Sequence, residues 1–190
     1  MPTRPRTAAP RPARRRTTVR APDALAMLRE DHRKVAAMFA RFDTLASDGV
    51  RKASLVASLC RALTVHAKVE EEIVYPAART VLKDVALVDE ADVEHAAARM
   101  LIADLERMKP GDDHYDAKVT VLGEYINHHV KEEESEMFPK ARKSADIAAL
   151  GKKMAARKAQ LLEEMAREGD GAMQAPTRGK GARKGAARAH

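Results

Sequence analysis

Apolar residues in this chain keep a helical period through five segments. In the first, Leu25, Leu28, Val35, Met38, Phe39 and Phe42 recur near every 3.6 residues. Asp23 is placed to cap this helix, and Ser47-Asp48-Gly49 to stop it. A second segment runs from about Lys52 through Leu55, Leu59, Leu63 and Ile73 to Pro76, which is expected to kink or end it, with a short piece over 77–83 beyond. The third spans roughly 85–108 and stops at Lys109-Pro110-Gly111. The fourth begins near Asp113, carries Val119, Leu122, Tyr125 and Ile126, and meets Pro139; a fifth, about 144–167, is rich in Ala, Lys and Glu. Short turns between the first four make sequential helices antiparallel. The predicted fold is therefore all-α, an up-down-up-down four-helix bundle with an extra C-terminal helix.

Some inward positions of these stripes are polar. His32, His66 and Glu70 recur 63 residues later as His95, His129 and Glu133. Their surroundings repeat too: Asp31-His32 is echoed by Glu94-His95, and the run from His66 to Tyr75-Pro76 by the run from His129 to Phe138-Pro139. On helices, His66 and Glu70 share one face, as do His129 and Glu133, while His32 and His95 sit singly on the first and third helices. Four imidazoles and two carboxylates thus converge in the bundle core, enough donors for two metal ions. One buried histidine is usually a hydrogen-bonded core residue, and a lone His-Glu pair is commonly a surface pair. Six such residues repeating in register point to metal. Zinc or manganese would accept much of this set, but mixed nitrogen and oxygen donors with open positions favour redox-active iron.

Other polar residues near this layer carry weaker signals. Tyr125 lies one turn before His129 and is a possible outer donor or extra ligand; its repeat counterpart is Ala62. Glu71, Glu72, Glu132, Glu134 and Glu136 are expected on solvated acidic faces, with Glu71 and Glu134, which repeat in register, able to tune the site. His128, His114 and His190 are expected to stand apart from it.

The motifs Asp31-His32, His66-x-x-x-Glu70-Glu71, Glu94-His95 and His129-x-x-x-Glu133-Glu134, over residues 23–142, resemble the hemerythrin family in its HHE cation-binding branch. That resemblance implies a four-helix bundle holding a non-haem di-iron centre, with an oxo or hydroxo bridge between two irons. Carried over by position, His32, His66, His95 and His129 would be terminal ligands, and Glu70 and Glu133 the bridges. Oxygen-carrying members of the family use five histidines, whereas each repeat here offers two histidines and one glutamate. The resemblance therefore points away from reversible oxygen transport and toward iron or oxygen sensing, peroxide breakdown or nitric oxide response.

Composition adds two features. Aromatic residues are only 3% of the 190 residues, so the core must be built from Leu, Val, Ile, Met and Ala, which suits closely packed helices. The net charge of +7 belongs to the ends: residues 1–22 hold seven Arg and residues 171–190 three Arg and two Lys, neither with an acid, and the remainder is −5. These tails lack the apolar residues needed to order them. The expected organisation is a basic tail over 1–22, the bundle over 23–143, an additional helix over 144–170 and a second basic tail over 171–190. Cationic tails can also hold nucleic acid through its phosphates, independently of sequence. The lone Cys60 excludes an intrachain disulfide and the cysteine-rich zinc motifs, making a reducing cytoplasm the simplest location. No apolar run approaches the ~18 residues of a membrane span. Three functional classes stay open: a di-iron binding or sensing protein for oxygen, peroxide or nitric oxide; a peroxide-consuming di-iron oxidoreductase; and a metal-bearing protein held on nucleic acid by its tails.

Overall fold

In the computed structural model, residues 22–45, 48–82, 85–144 and 146–174 are described, and the described residues form helices and short connections without a strand. The helices are α1 (Ala24–Thr44), α2 (Gly49–Val69), α3 (Tyr75–Val81), α4 (Ala86–Leu105), α5 (Tyr115–Glu132), α6 (Phe138–Ser144) and α7 (Ile147–Gln174). Asp23 caps α1 as expected, its carboxylate accepting from the Ala26 N–H. Asp48 does the same for α2 through the Arg51 N–H. In the ring of four long helices, α1 packs on α2 and α5, and α4 on α2 and α5. The turn from α4 to α5 uses two residues with positive φ, Gly111 (97°) and His114 (67°).

Pro76 and Pro139 do not end their helices. Between α2 and α3 the chain passes through a π-helical turn, Glu70–Val74, and between α5 and α6 through another, Glu133–Met137. These turns are related by the same 63-residue offset as the ligand candidates. In each, the glutamate carbonyl accepts a bond from five residues on: Glu70 from the Tyr75 N–H, and Glu133 from the Phe138 N–H. A proline one residue further has no N–H to offer and would clash in a regular α-turn, so the widened turn lets the helix continue past it. The extra residue also rotates the helical segment beyond it. Residues five apart on an α-helix are separated by about 140°, whereas an i→i+5 turn brings them to within about 50° of one another. Tyr75 and Phe138 are thereby carried round to the face of Glu70 and Glu133.

Two apolar clusters fill the bundle. One, around Leu25, Leu28, Val69, Tyr75, Val88 and Phe138, surrounds the π-turns. The other, around Val35, Leu59, Leu63, Ile102, Val119 and Leu122, fills the opposite end. Buried His32, His66, Glu70, His95, His129 and Glu133 form a polar layer in an otherwise apolar core. Cys60 lies in the second cluster, where burial pushes its thiol up to about 11 and leaves it protonated and unreactive.

The additional helix α7 lies along α1 and α2 and extends past Gly171, where a tail was expected to begin. Met154 and Leu161 bury its inner face, and Gly151 lets it approach the start of α1 so closely that a Cβ there would fall 1.9 Å from the Pro22 carbonyl oxygen. Arg157 binds Glu72 (2.6 Å), and Lys158 pairs with Asp31. The basic tails expected over 1–22 and 171–190 fall almost wholly outside the described residues. Among the described residues no helix is long and apolar enough to cross a membrane.

Candidate metal centre

All six repeat-related residues meet in the polar layer. Their donor atoms form two groups that share Glu70: His32, His66, Glu70 and Glu133 in one, and Glu70, His95 and His129 in the other, each with ligand atoms within 4.8 Å of one another. His66 Nε2 lies 3.1 Å from Glu70 Oε2, and His32 Nε2 lies 3.4 Å from Glu133 Oε2. Across the layer, His95 Nε2 stands 3.5 Å from Glu70 Oε2 and His129 Nε2 3.6 Å from Glu133 Oε2.

Three histidines are held from outside by a carboxylate at Nδ1, and a fourth carboxylate stands near His66, whose Nδ1 has no hydrogen-bond partner. Glu134 meets His32 at 2.8 Å, Glu71 meets His95 at 3.0 Å, Glu94 meets His129 at 2.8 Å, and Asp31 approaches His66 at 3.7 Å. These four supports repeat in pairs at the same offset as the ligands, Asp31 with Glu94 and Glu71 with Glu134. A carboxylate only accepts, so the proton at a bonded Nδ1 belongs to the ring, and a neutral imidazole then presents the Nε2 lone pair inward. Two such nitrogens face each other at 3.2 Å in the pair His32/His66, and again at 3.2 Å in His95/His129. Facing lone pairs repel unless a cation or proton lies between them. Neighbouring donors on one transition ion, with bonds of about 2.1 Å, stand about 3 Å apart, so the spacing suits a metal.

The carboxylates make the same case. Both oxygens of Glu70, fully buried, and Oε2 of Glu133 lack a hydrogen-bond partner. A buried carboxylate oxygen without a partner is costly, and a bound cation removes that cost. The histidines respond unevenly to these carboxylates. Burial opposes charge on His66, but Glu70, Asp31 and Glu133 outweigh it and push the group up to about 10. Burial wins at His95, which falls to about 4. His129 is raised against its burial by Glu133 and Glu70, while Glu133 is lowered, also against burial, by His32 beside it and the other nearby imidazoles.

A tyrosine completes the layer, and it is not the one that the sequence suggested. Tyr125 was expected to share the face of His129, yet it is 48% exposed on the outside of α5. The inward stripe there runs through Val119, Leu122, Ile126, His129 and Glu133 and passes Tyr125 on its flank. Tyr75 is buried instead, its hydroxyl donating to Glu133 Oε1 (3.2 Å) and lying 3.2 Å from His95 Nε2 and 3.5 Å from His129 Nε2. Burial, then the charges of Glu70 and Glu133, raise its pKa far above the ordinary phenol value and keep it protonated. The available signal was the Tyr-Pro/Phe-Pro echo; the repeat counterpart Phe138 stacks on His32 at 5.9 Å. His128 and His114 are exposed outside the layer, His128 beside Glu132 (3.2 Å).

Residues 23–141 match the hemerythrin family, described as the hemerythrin HHE cation binding domain. Among solved structures, a hemerythrin HHE cation binding domain-containing protein from Mycobacterium kansasii has the same fold, with a TM-score of 0.66 at 23% identity over 77% of this chain and 91% of that one. A protein of Nostoc sp. described as a DNA nickase is 26% identical over 116 residues, which are 61% of this chain and 32% of that protein. This chain thus spans about a third of that relative's length. With a match running through the whole bundle, the chain belongs to the hemerythrin family and carries its HHE cation-binding domain.

Proposed function

We propose that the polar layer holds two iron ions, one in each donor group, and that the protein acts on oxygen, peroxide or nitric oxide in a redox or sensing role. The supporting observation is the set of buried, unpartnered carboxylate oxygens of Glu70 and Glu133 among four imidazoles whose Nε2 atoms face one another. His32, His66 and Glu133 would serve one ion, His95 and His129 the other, with Glu70 available to both. Iron held there would supply one-electron redox chemistry toward small oxygen and nitrogen ligands. The chain's own residues do the rest. Glu71, Glu94 and Glu134 fix the orientations of His95, His129 and His32; the two apolar clusters exclude water; and Tyr75 holds a proton at its hydroxyl, aimed at Glu133 and at the His95/His129 pair. Among the described residues, no other hydroxyl is bonded to a ligand candidate.

The test is iron content and visible absorption of the full chain purified from iron-fed cells, beside His66→Ala and Glu133→Ala. Two irons per chain and a visible band that the variants weaken or lose support the reading. A colourless protein with one zinc per chain overturns it. Oxygen release on adding hydrogen peroxide, above the level of free iron, would place the protein among peroxide-consuming oxidoreductases.

A second reading, placement of the bundle on nucleic acid, is favoured by the two acid-free tails and by similarity to a relative described as a DNA nickase. Deleting residues 1–21 and 175–190 should then abolish duplex binding at low salt, and undiminished binding would rule the tails out.

A further inference from the structure

A cavity of about 100 Å³ lies against the layer between α2, α4 and α5. Its walls are Leu63 and Ala67 of α2, Ala98 and Ile102 of α4, and Ile126 of α5, and it reaches the rings of His66, His95 and His129. At the protein surface stand Lys68 and the ion pair of Arg99 with Glu71, the carboxylate that supports His95.

The 63-residue repeat explains why the other side differs. The corresponding positions between α1 and α5 carry Val35 for Ala98, Val130 for Ala67 and Phe39 for Ile102. Each is larger. Phe39 lies flat over Gly123, with a ring carbon 3.1 Å from where a glycine Cβ would be, and Gly123 is the counterpart of Cys60.

We infer that the Leu63–Ala98–Ile126 cavity is the access route and docking pocket for a small, uncharged, poorly hydrated molecule of the dioxygen or nitric oxide class, with the Arg99–Glu71 pair at its mouth. This rests on the proposed metal reading and narrows it. Apolar cavities up to about 150 Å³ stay dry and take guests such as xenon or benzene. Hydrogen peroxide would lose water's hydrogen bonds and regain few, since apart from the Thr64 hydroxyl and the histidine edges these inner walls are apolar. Of the three histidines that the pocket reaches, His95 and His129 belong to one donor group and His66 to the other, so the ion of His95 and His129 would meet the guest first.

Xenon is a direct probe. In xenon-pressurised crystals of the full chain without added iron, one xenon is expected against Leu63, Ala98 and Ile126. It should vanish in Ala67→Val/Ala98→Val, which copies the opposite side, and Phe39→Ile should open a second site between α1 and α5. If the double variant does not fold, Ala98→Val alone serves. Absence of xenon from the unmodified chain, its retention in the filled variants, or binding beside Phe39 would overturn the pocket, whatever the metal content proves to be. On iron-loaded chains of equal iron content, the filled variants should slow nitric oxide association on the order of tenfold. An unchanged rate would overturn the route, whereas failure of the metal reading would appear as missing iron with xenon still bound.

Discussion

The two halves of the bundle, α1–α3 and α4–α6, share a backbone and differ in chemistry. Both place a histidine on their first helix, a His-x-x-x-Glu on their second, and a π-turn at that glutamate. Their supporting carboxylates cross over symmetrically: Glu71 of the first half holds His95 of the second, and Glu134 of the second holds His32 of the first. Within this frame a few side chains break the symmetry. Tyr75 reaches into the layer where Phe138 only stacks; Ala67, Ala98 and Ile102 line a cavity where the counterparts Val130, Val35 and Phe39 are larger; and α7 packs chiefly on α1 and α2 of the first half, placing Lys158 on Asp31. Repetition sets the positions of six ligand candidates, and single substitutions make their two groups unequal.

The largest expected effect comes from the two glutamates. Glu70 belongs to both donor groups and Glu133 to one, so Glu70→Ala should lose nearly all bound metal while Glu133→Ala retains the ion of His95 and His129, measured by elemental analysis. Equal losses would make the groups equivalent.

Next is the tyrosine. Tyr75→Phe should weaken metal binding roughly 10- to 100-fold, the usual cost of losing a hydrogen-bonding partner of a ligand, and Tyr75→Phe/Phe138→Tyr tests whether the hydroxyl works equally well from the other half. Competition titration against a chelator measures both, and an unaltered affinity in Tyr75→Phe would reduce it to packing.

Helix α7 is a smaller lever. Gly151→Ala forces the Pro22 contact apart and should cost about 1–3 kcal/mol, read as a lower Tm, with metal content retained. Lys158→Ala removes a partly exposed ion pair and should cost no more than ~1 kcal/mol, with slightly weaker metal binding through Asp31 and His66. A large loss of metal in Lys158→Ala alone would show that α7 governs the site.

The bundle was legible because its cues are local: Asp23 caps, Ser47-Asp48-Gly49 and Pro110-Gly111 break, and the apolar period survives through each helix. The six ligand candidates were legible because the repeat preserves their spacing. Tyr75 was not. A reading that ends the second helix at Pro76 leaves the preceding residue outside the site, and only the i→i+5 bond between Glu70 and Tyr75 brings it in. Tyr125 failed for the converse reason, since four residues of separation put it beside His129 without saying on which flank of the stripe it falls. The supports Asp31 and Glu94 were visible only as an echo, because their partners His66 and His129 lie on neighbouring helices and such pairings need the tertiary structure.

The central claim, two ions in unequal environments, is tested most directly by the Mössbauer spectrum of the full chain loaded with iron-57. Two irons per chain giving two distinguishable sites in the diferrous state are predicted, with the site of His95 and His129 altered selectively by Tyr75→Phe. One iron per chain, or a single site indifferent to Tyr75, would contradict it.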